Sequence, residues 1–190
     1  MKKFVLLLTL ISSCSPDTEK QTSTNQNWDT YLGDPGRSHY SHLSEITREN
    51  VGQLALAWTY DSGEMREGNS TMYTSPLIID GVLYGLSPKL VAFALDAATG
   101  EELWRSNYVG PGAAQRGLMW WENGSDRRVI YPAGSELIAL NADTGQPIRT
   151  FGVNGRINLK PEDKEVPFFT SVPGVVFEDK LILGFSTAES

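Results

Sequence analysis

Residues 94–104 read ALDAATGEELW, and residues 139–149 read ALNADTGQPIR. The two stretches share Ala-Leu, an Asp or Asn, an Ala and Thr-Gly at an offset of 45 residues, but the first ends on Trp104 and the second on Arg149. Thr-Gly predicts a tight turn in which glycine takes positive φ. Asp96 or Asn141 ahead of it can accept the turn's backbone N–H groups. The apolar runs LVAFAL (90–95) and ELIALN (136–141) lead into the turns, and EELWRS leaves the first as another strand. Trp104 on that outer strand offers a large face that can pack between neighbouring units.

The repeat extends in both directions. SPLIIDGVLYGL (75–86) is two apolar runs around Asp-Gly, a strong two-residue hairpin signal. RRVIYPAG (127–134) and VVFEDKLILGF (175–185) repeat its second strand or the whole hairpin. Aligning Leu83, Ile130 and Leu181 gives steps of 47 and 51 residues. Four short strands at that period predict an all-β chain made of β-propeller blades. A leader over 28–73, blades over 74–114 and 115–151, and the opening of a third over 170–190 are expected. Propellers need at least about four blades, so the chain is expected to be the N-terminal part of a longer protein. VGQLALAWTYDSG (51–63), with Trp58, reads as an outer strand without its own blade, suited to closing the last blade of a ring.

The chain has 190 residues and a formal net charge of −7, and no basic run exceeds two residues, which argues against a nucleic-acid partner. Lys2, Lys3, an apolar run from Phe4 to Ile11 and then Ser12, Ser13 and Cys14 form a secretory signal, too short to span a bilayer. ISSC resembles a bacterial lipobox. It predicts a lipoprotein signal peptide over 1–13, a lipidated Cys14 and a polar tether over 14–27, the alternative being an unmodified cysteine in a plain signal peptide. In a Gram-negative host, Ser15 after the cysteine suits lipid anchoring at the outer membrane, facing the periplasm. Cys14 is the single cysteine, so no intrachain disulfide can form. His39 and His42, the two histidines, read as surface or packing residues, and a zinc site is not expected.

WDTYLGDPGRSHYSHLSEITRENVGQLALAWTYDSGE (28–64) carries a leader of the form W-x-x-Y-x-G-D, then N-V-x-x-L, then A-W-x-Y, and TSPLIIDGVLYGLSPKL, FALDAATGEELW, QRGLMWW and FGVNGRINL follow in order. Together they resemble the pyrroloquinoline quinone (PQQ)-dependent dehydrogenases over residues 28–190, most of all the glucose-dehydrogenase-like branch, whose second blade reads TGxPxxxFGxxGxxxL. Leu32 and His39 depart slightly from the pattern. In that second blade Phe151 is expected to fill part of the space left by the missing tryptophan.

The resemblance implies an eight-bladed propeller holding PQQ and Ca²⁺. It implies an oxidoreductase that removes hydride from CH–OH groups of sugars, polyols or alcohols. Electrons then pass to a quinone or cytochrome acceptor of the respiratory chain. Arg116 in QRG matches a cofactor-binding arginine, and a guanidinium suits carboxylates because it meets them as a charged fork. Glu189 matches the carboxylate that ligates Ca²⁺, a hard cation that takes oxygen ligands. Ser186, Thr187 and Ala188 fall in the loop whose hydroxyl and N–H groups meet a cofactor carboxylate. Ser171, or the adjacent Thr170, takes the place of a cofactor-binding threonine. Tyr73 stands where many members carry a glutamate, a phenol that hydrogen-bonds but does not ionise easily. The adjacent cysteines of the alcohol branch are replaced by GPGAAQRG. The catalytic base is expected beyond residue 190, and Asp80, Asp96 and Asp143 belong to repeat turns. The competing expectation is a non-catalytic propeller lipoprotein of the same repeat, a protein-binding scaffold in outer-membrane assembly.

Overall fold

The computed structural model describes residues 27–64, 71–107, 115–160 and 168–187. The described chain is all-β, with one 3-10 turn at Val51–Gln53 and no α-helix. Strands β1 (Leu77–Ile79), β2 (Val82–Leu86), β3 (Ala92–Asp96) and β4 (Glu102–Arg105) form an antiparallel four-stranded meander. A second is built by β5 (Met119–Asn123), β6 (Asp126–Ala133), β7 (Glu136–Asn141) and β8 (Arg156–Asn158). The third unit contributes β9 (Phe168–Phe169), β10 (Val175–Phe177), β11 (Lys180–Ile182) and β12 (Ser186–Thr187), paired β9 with β12 and β10 with β11.

Local chemistry sets each meander. Asp80 and Gly81 both take positive φ, 51° and 80°, the primed turn that matches strand twist. Leu83, Ile130 and Leu181 all sit on the second strand of their hairpins, as the period requires. In the Thr-Gly turn, Asp96 Oδ1 accepts from Ala98 N (3.0 Å), Thr99 N (2.8 Å) and the Thr99 hydroxyl (2.9 Å). Asn141 Oδ1 accepts the same three donors one repeat later, so the turn needs an acceptor and not a charge.

The tryptophans act between units. Trp104 Nε1 donates to Ala142 O at 2.8 Å, and its ring lies flat on Gly145, where a Cβ would come within 2.5 Å of Cε3. Trp58 repeats this one unit earlier, donating to Ala97 O at 3.2 Å and covering Gly100. The stretch around Trp58 thus places its tryptophan on the first blade's turn as outer-strand Trp104 does on the second's. It is extended, with no ladder partner among the described residues.

The second blade departs from the repeat. A fourth strand directly after its turn would end near residue 151, but the chain there makes a single bridge, Leu140 to Pro147, and the true strand is β8, at 156–158. Pro147 has no N–H to extend a ladder, so the chain detours through Phe151 and Gly155 before pairing again. Ile148 and Phe151 pack on Met119, Ile130, Leu137 and Ala139 together with Val176, Leu181 and Leu183 of the third unit. Phe151 thus covers the seam to the next unit, as Trp104 does in the first blade. Arg149 is exposed.

Alternation of side chains across the strands divides the core into two seams. Leu77, Ile79, Tyr84, Leu86, Ala92 and Ala94 meet Leu118, Val129, Tyr131, Ile138 and Leu140 between the first two blades. Tyr84 lies between the rings of Trp104 and Trp120, with centroids 6.0 and 5.6 Å away. Burial pushes its phenol up to about 12. A phenol whose folded value is raised stabilises the fold below its unfolded value, near 10, and loses that contribution as pH rises through the folded value. Discounted for solvent screening, the loss is about 1–2 kcal/mol between about pH 10 and pH 12. Urea unfolding over that range should show it in the wild type and much less of it in Tyr84→Phe. An equal alkaline slope in both would reject Tyr84 as its source.

Candidate cofactor site

The segments that lead into the three units lie side by side. Ser75 N donates to Arg116 O at 2.8 Å, and Arg116 N donates to Ser171 O at 3.0 Å. Ser75 and Gly117 form a parallel bridge. The Thr74 hydroxyl reaches Leu86 O at 3.2 Å and Gln115 O at 3.1 Å. The result is a backbone belt that joins Ser75, Arg116 and Ser171, far apart in sequence, with Tyr73 two residues before Ser75. Arg116 is held by its own N–H and C=O, one to each neighbour. Gly117 is required at this crossing, since a Cβ there would sit 2.9 Å from the Tyr31 ring and 3.2 Å from Ser75 O. Tyr31 is itself covered by the Arg37 guanidinium, 5.3 Å from the ring centroid, so the leader backs the belt.

The side chains along the belt divide into committed and available groups. Thr170 is buried, donates its hydroxyl to Val172 O (3.2 Å) and gives its carbonyl to Gln115 Nε2 (2.7 Å). Of the two alternatives, Thr170 is therefore already used by the fold, and the half-buried Ser171 is the available hydroxyl. Arg116 is exposed and joins no ion pair among the described residues. Tyr73 is 63% exposed. Ser186 is exposed and lies opposite Phe169 in the β9–β12 ladder, two residues from Ser171. Thr187 pairs with Phe168 in the same ladder. Ala188, Glu189 and Cys14 lie outside the described residues.

Sequence reasoning missed Gln115. It is 2% exposed, and its Oε1 has no hydrogen-bond partner among the described residues. Buried polar atoms without a partner are rare and call for an explanation. The signal available in sequence was only its place beside Arg116. His39 and His42 are exposed, and no group of three His, Cys, Asp or Glu side chains able to hold a metal occurs among the described residues. A cleft of about 680 Å³ at the outer side of the second blade, lined by Asn107, Gln146, Arg149 and Asn154, includes none of the belt residues.

Along the belt and the adjoining β9–β12 ladder lie an exposed guanidinium, the Ser171 and Ser186 hydroxyls, a phenol and a buried amide oxygen, groups that offer several donors and one cationic fork. Such a set fits a small rigid polyanion with carboxylate and carbonyl oxygens, the chemical description of PQQ.

Two four-stranded antiparallel meanders and the opening of a third define a β-propeller. The chain belongs to the family described as PQQ: Glucose/ethanol/alcohol dehydrogenase, beta-propeller domain, which matches residues 28–190. The quinate/shikimate dehydrogenase (quinone) of Acinetobacter baylyi is 30% identical over 78% of this chain and 23% of its own length. The quinoprotein glucose dehydrogenase of Escherichia coli is 25% identical over 96% of this chain and 26% of its own. The dehydrogenase subunit of the alcohol dehydrogenase (quinone) of Komagataeibacter europaeus is 38% identical over 63% and 16%. Among solved structures, a quinohemoprotein alcohol dehydrogenase from Pseudomonas putida superposes with a TM-score of 0.68 at 26% identity, covering 85% of this chain and 23% of that one. The chain therefore spans about a quarter or less of the length of these relatives.

Proposed function

We propose that this chain is the PQQ-binding part of a quinoprotein dehydrogenase that oxidises CH–OH groups of sugars, polyols or alcohols. The belt that joins Arg116 to Ser171 and Ser75, with the Arg116 guanidinium outside any ion pair among the described residues, is the observation that carries the reading. Arg116 would take a cofactor carboxylate as a bidentate fork. Ser171, Ser186, Thr187 and the Ala188 N–H would complete the hydrogen bonds to it, and Tyr73 would donate its phenol where others present a carboxylate. Glu189 would supply carboxylate oxygen to Ca²⁺. When bound, PQQ with Ca²⁺ provides the hydride acceptor, its quinone carbonyl polarised by the metal. The chain's own residues bind and orient the cofactor, and none of those described is assigned as base. Transfer of electrons to a quinone or cytochrome, and a lipid anchor at Cys14 on the periplasmic side of the membrane, complete the proposal.

The test uses protein expressed from the complete reading frame, stripped and then titrated with PQQ and Ca²⁺. Stoichiometric PQQ binding and dye-linked oxidation of at least one sugar, polyol or simple alcohol are expected. Failure to bind PQQ at any Ca²⁺ concentration would reject the reading in favour of the scaffold propeller, which the departure at Tyr73 favours.

A further inference from the structure

We propose that Gln115 is the positioning residue of this site: a buried crossbar between the second and third units that fixes Arg116 and keeps one acceptor for a hydrogen-bond donor bound there. The inference rests on the PQQ reading above. Gln115 lies between three segments. Its carbonyl accepts from the Thr74 hydroxyl at 3.1 Å, and its Nε2 donates to Thr170 O at 2.7 Å. The next residue is Arg116, whose N–H and C=O are held by Ser171 and Ser75. The backbone from which the Arg116 side chain springs is therefore tied on both sides, next to the Gln115 amide that ties the second unit to the third. The far oxygen, Oε1, is buried without a partner among the described residues. An amide that served the seam alone would leave this acceptor unsatisfied, a cost that proteins rarely accept. Oε1 is closed to solvent in the cofactor-free protein, so the seating of the cofactor must uncover it for a donor, an N–H or O–H of the cofactor or of a water held beside it, to satisfy it. The named neighbours Thr74, Thr170 and Ser171 carry no group that titrates near neutrality, and Arg116 is the adjoining charged group.

Gln115→Glu separates this role from a merely structural one. A protonated glutamic acid keeps one donor for Thr170 O and one acceptor, whereas the carboxylate loses the donor and places negative charge beside a polyanion's site. In complete protein, PQQ affinity of Gln115→Glu should fall at least 10-fold at about pH 8 and recover as pH is lowered toward about 5.5, where a buried carboxyl reprotonates. Gln115→Leu should be weak at every pH, with the wild type as reference at each point. Thermal unfolding of the cofactor-free variants runs in parallel. Variants that melt lower yet bind PQQ as the wild type does, with no change in pH profile, would show a packing role only and overturn the proposal. Wild-type protein that binds no PQQ overturns the functional reading instead. In the loaded protein's crystal structure a donor atom, of PQQ or of water, is expected within about 3.2 Å of Oε1. A gap there would remove the acceptor role.

Discussion

Trp104→Ala and Gly145→Ala should each cost the protein about 3 kcal/mol or more, although neither touches the candidate site. Trp104 covers the neighbouring blade's turn, donates to Ala142 O and stands beside Tyr84, so its removal opens the seam at the point where two meanders join. Gly145 fails for two reasons: its φ of +68° disfavours any side chain, and the Trp104 ring occupies the space a Cβ would need. The two are therefore coupled. Once Trp104 is alanine, Gly145→Ala meets no ring, and only the backbone strain of about 1–2 kcal/mol remains. Urea unfolding of the two single variants and the double variant gives the coupling energy directly. Arg149→Ala, the matching position of the second repeat, should stay within about 0.5 kcal/mol of wild type because the side chain is exposed. If Trp104→Ala costs no more than Arg149→Ala, the tryptophan does not lock the blades.

The contrast between Trp104 and Arg149 also marks what can be read from sequence. Hairpins at Asp80-Gly81 and turns at Thr99-Gly100 and Thr144-Gly145 are legible because a two-residue turn with positive φ constrains the amino acids that can form it. Strand faces follow, since side chains alternate once the turn fixes the register. The detour after Pro147 is not legible: a missing N–H stops a ladder but does not say where pairing resumes. Trp58 reads as part of an outer strand because its flanks are strand-like. The turn it covers, at Ala97 to Gly100, is about forty residues away and leaves no local pattern. The belt shows the same division. Arg116 and Ser171 stand out by resemblance, whereas Gln115 acts through Thr170 of another unit, and no periodicity within one segment carries such a contact.

Arg116→Ala should weaken PQQ binding by about 30- to 1000-fold, the equivalent of about 2–4 kcal/mol for a bidentate, charge-assisted pair lost to a carboxylate. Its position gives the prediction a clean control. The guanidinium is exposed and outside any ion pair among the described residues, while the backbone of Arg116 makes the links to Ser75 and Ser171. Truncating the side chain leaves the belt in place, so unfolding of the cofactor-free protein should move by less than about 0.5 kcal/mol. Arg116→Lys keeps the charge but not the planar fork and should recover only part of the affinity, leaving a deficit of about 10-fold. Ser171→Ala, which removes a neutral hydroxyl, should cost about 3- to 10-fold, in line with a net hydrogen bond of about 0.5–1.5 kcal/mol. PQQ titration at fixed Ca²⁺ should rank Arg116→Ala weakest, then Arg116→Lys, then Ser171→Ala. That order, with stability unchanged, identifies the belt as the place where the cofactor's carboxylate is held. PQQ affinity of Arg116→Ala equal to wild type would move that carboxylate to another cation, and the role assigned to the belt would fall with it.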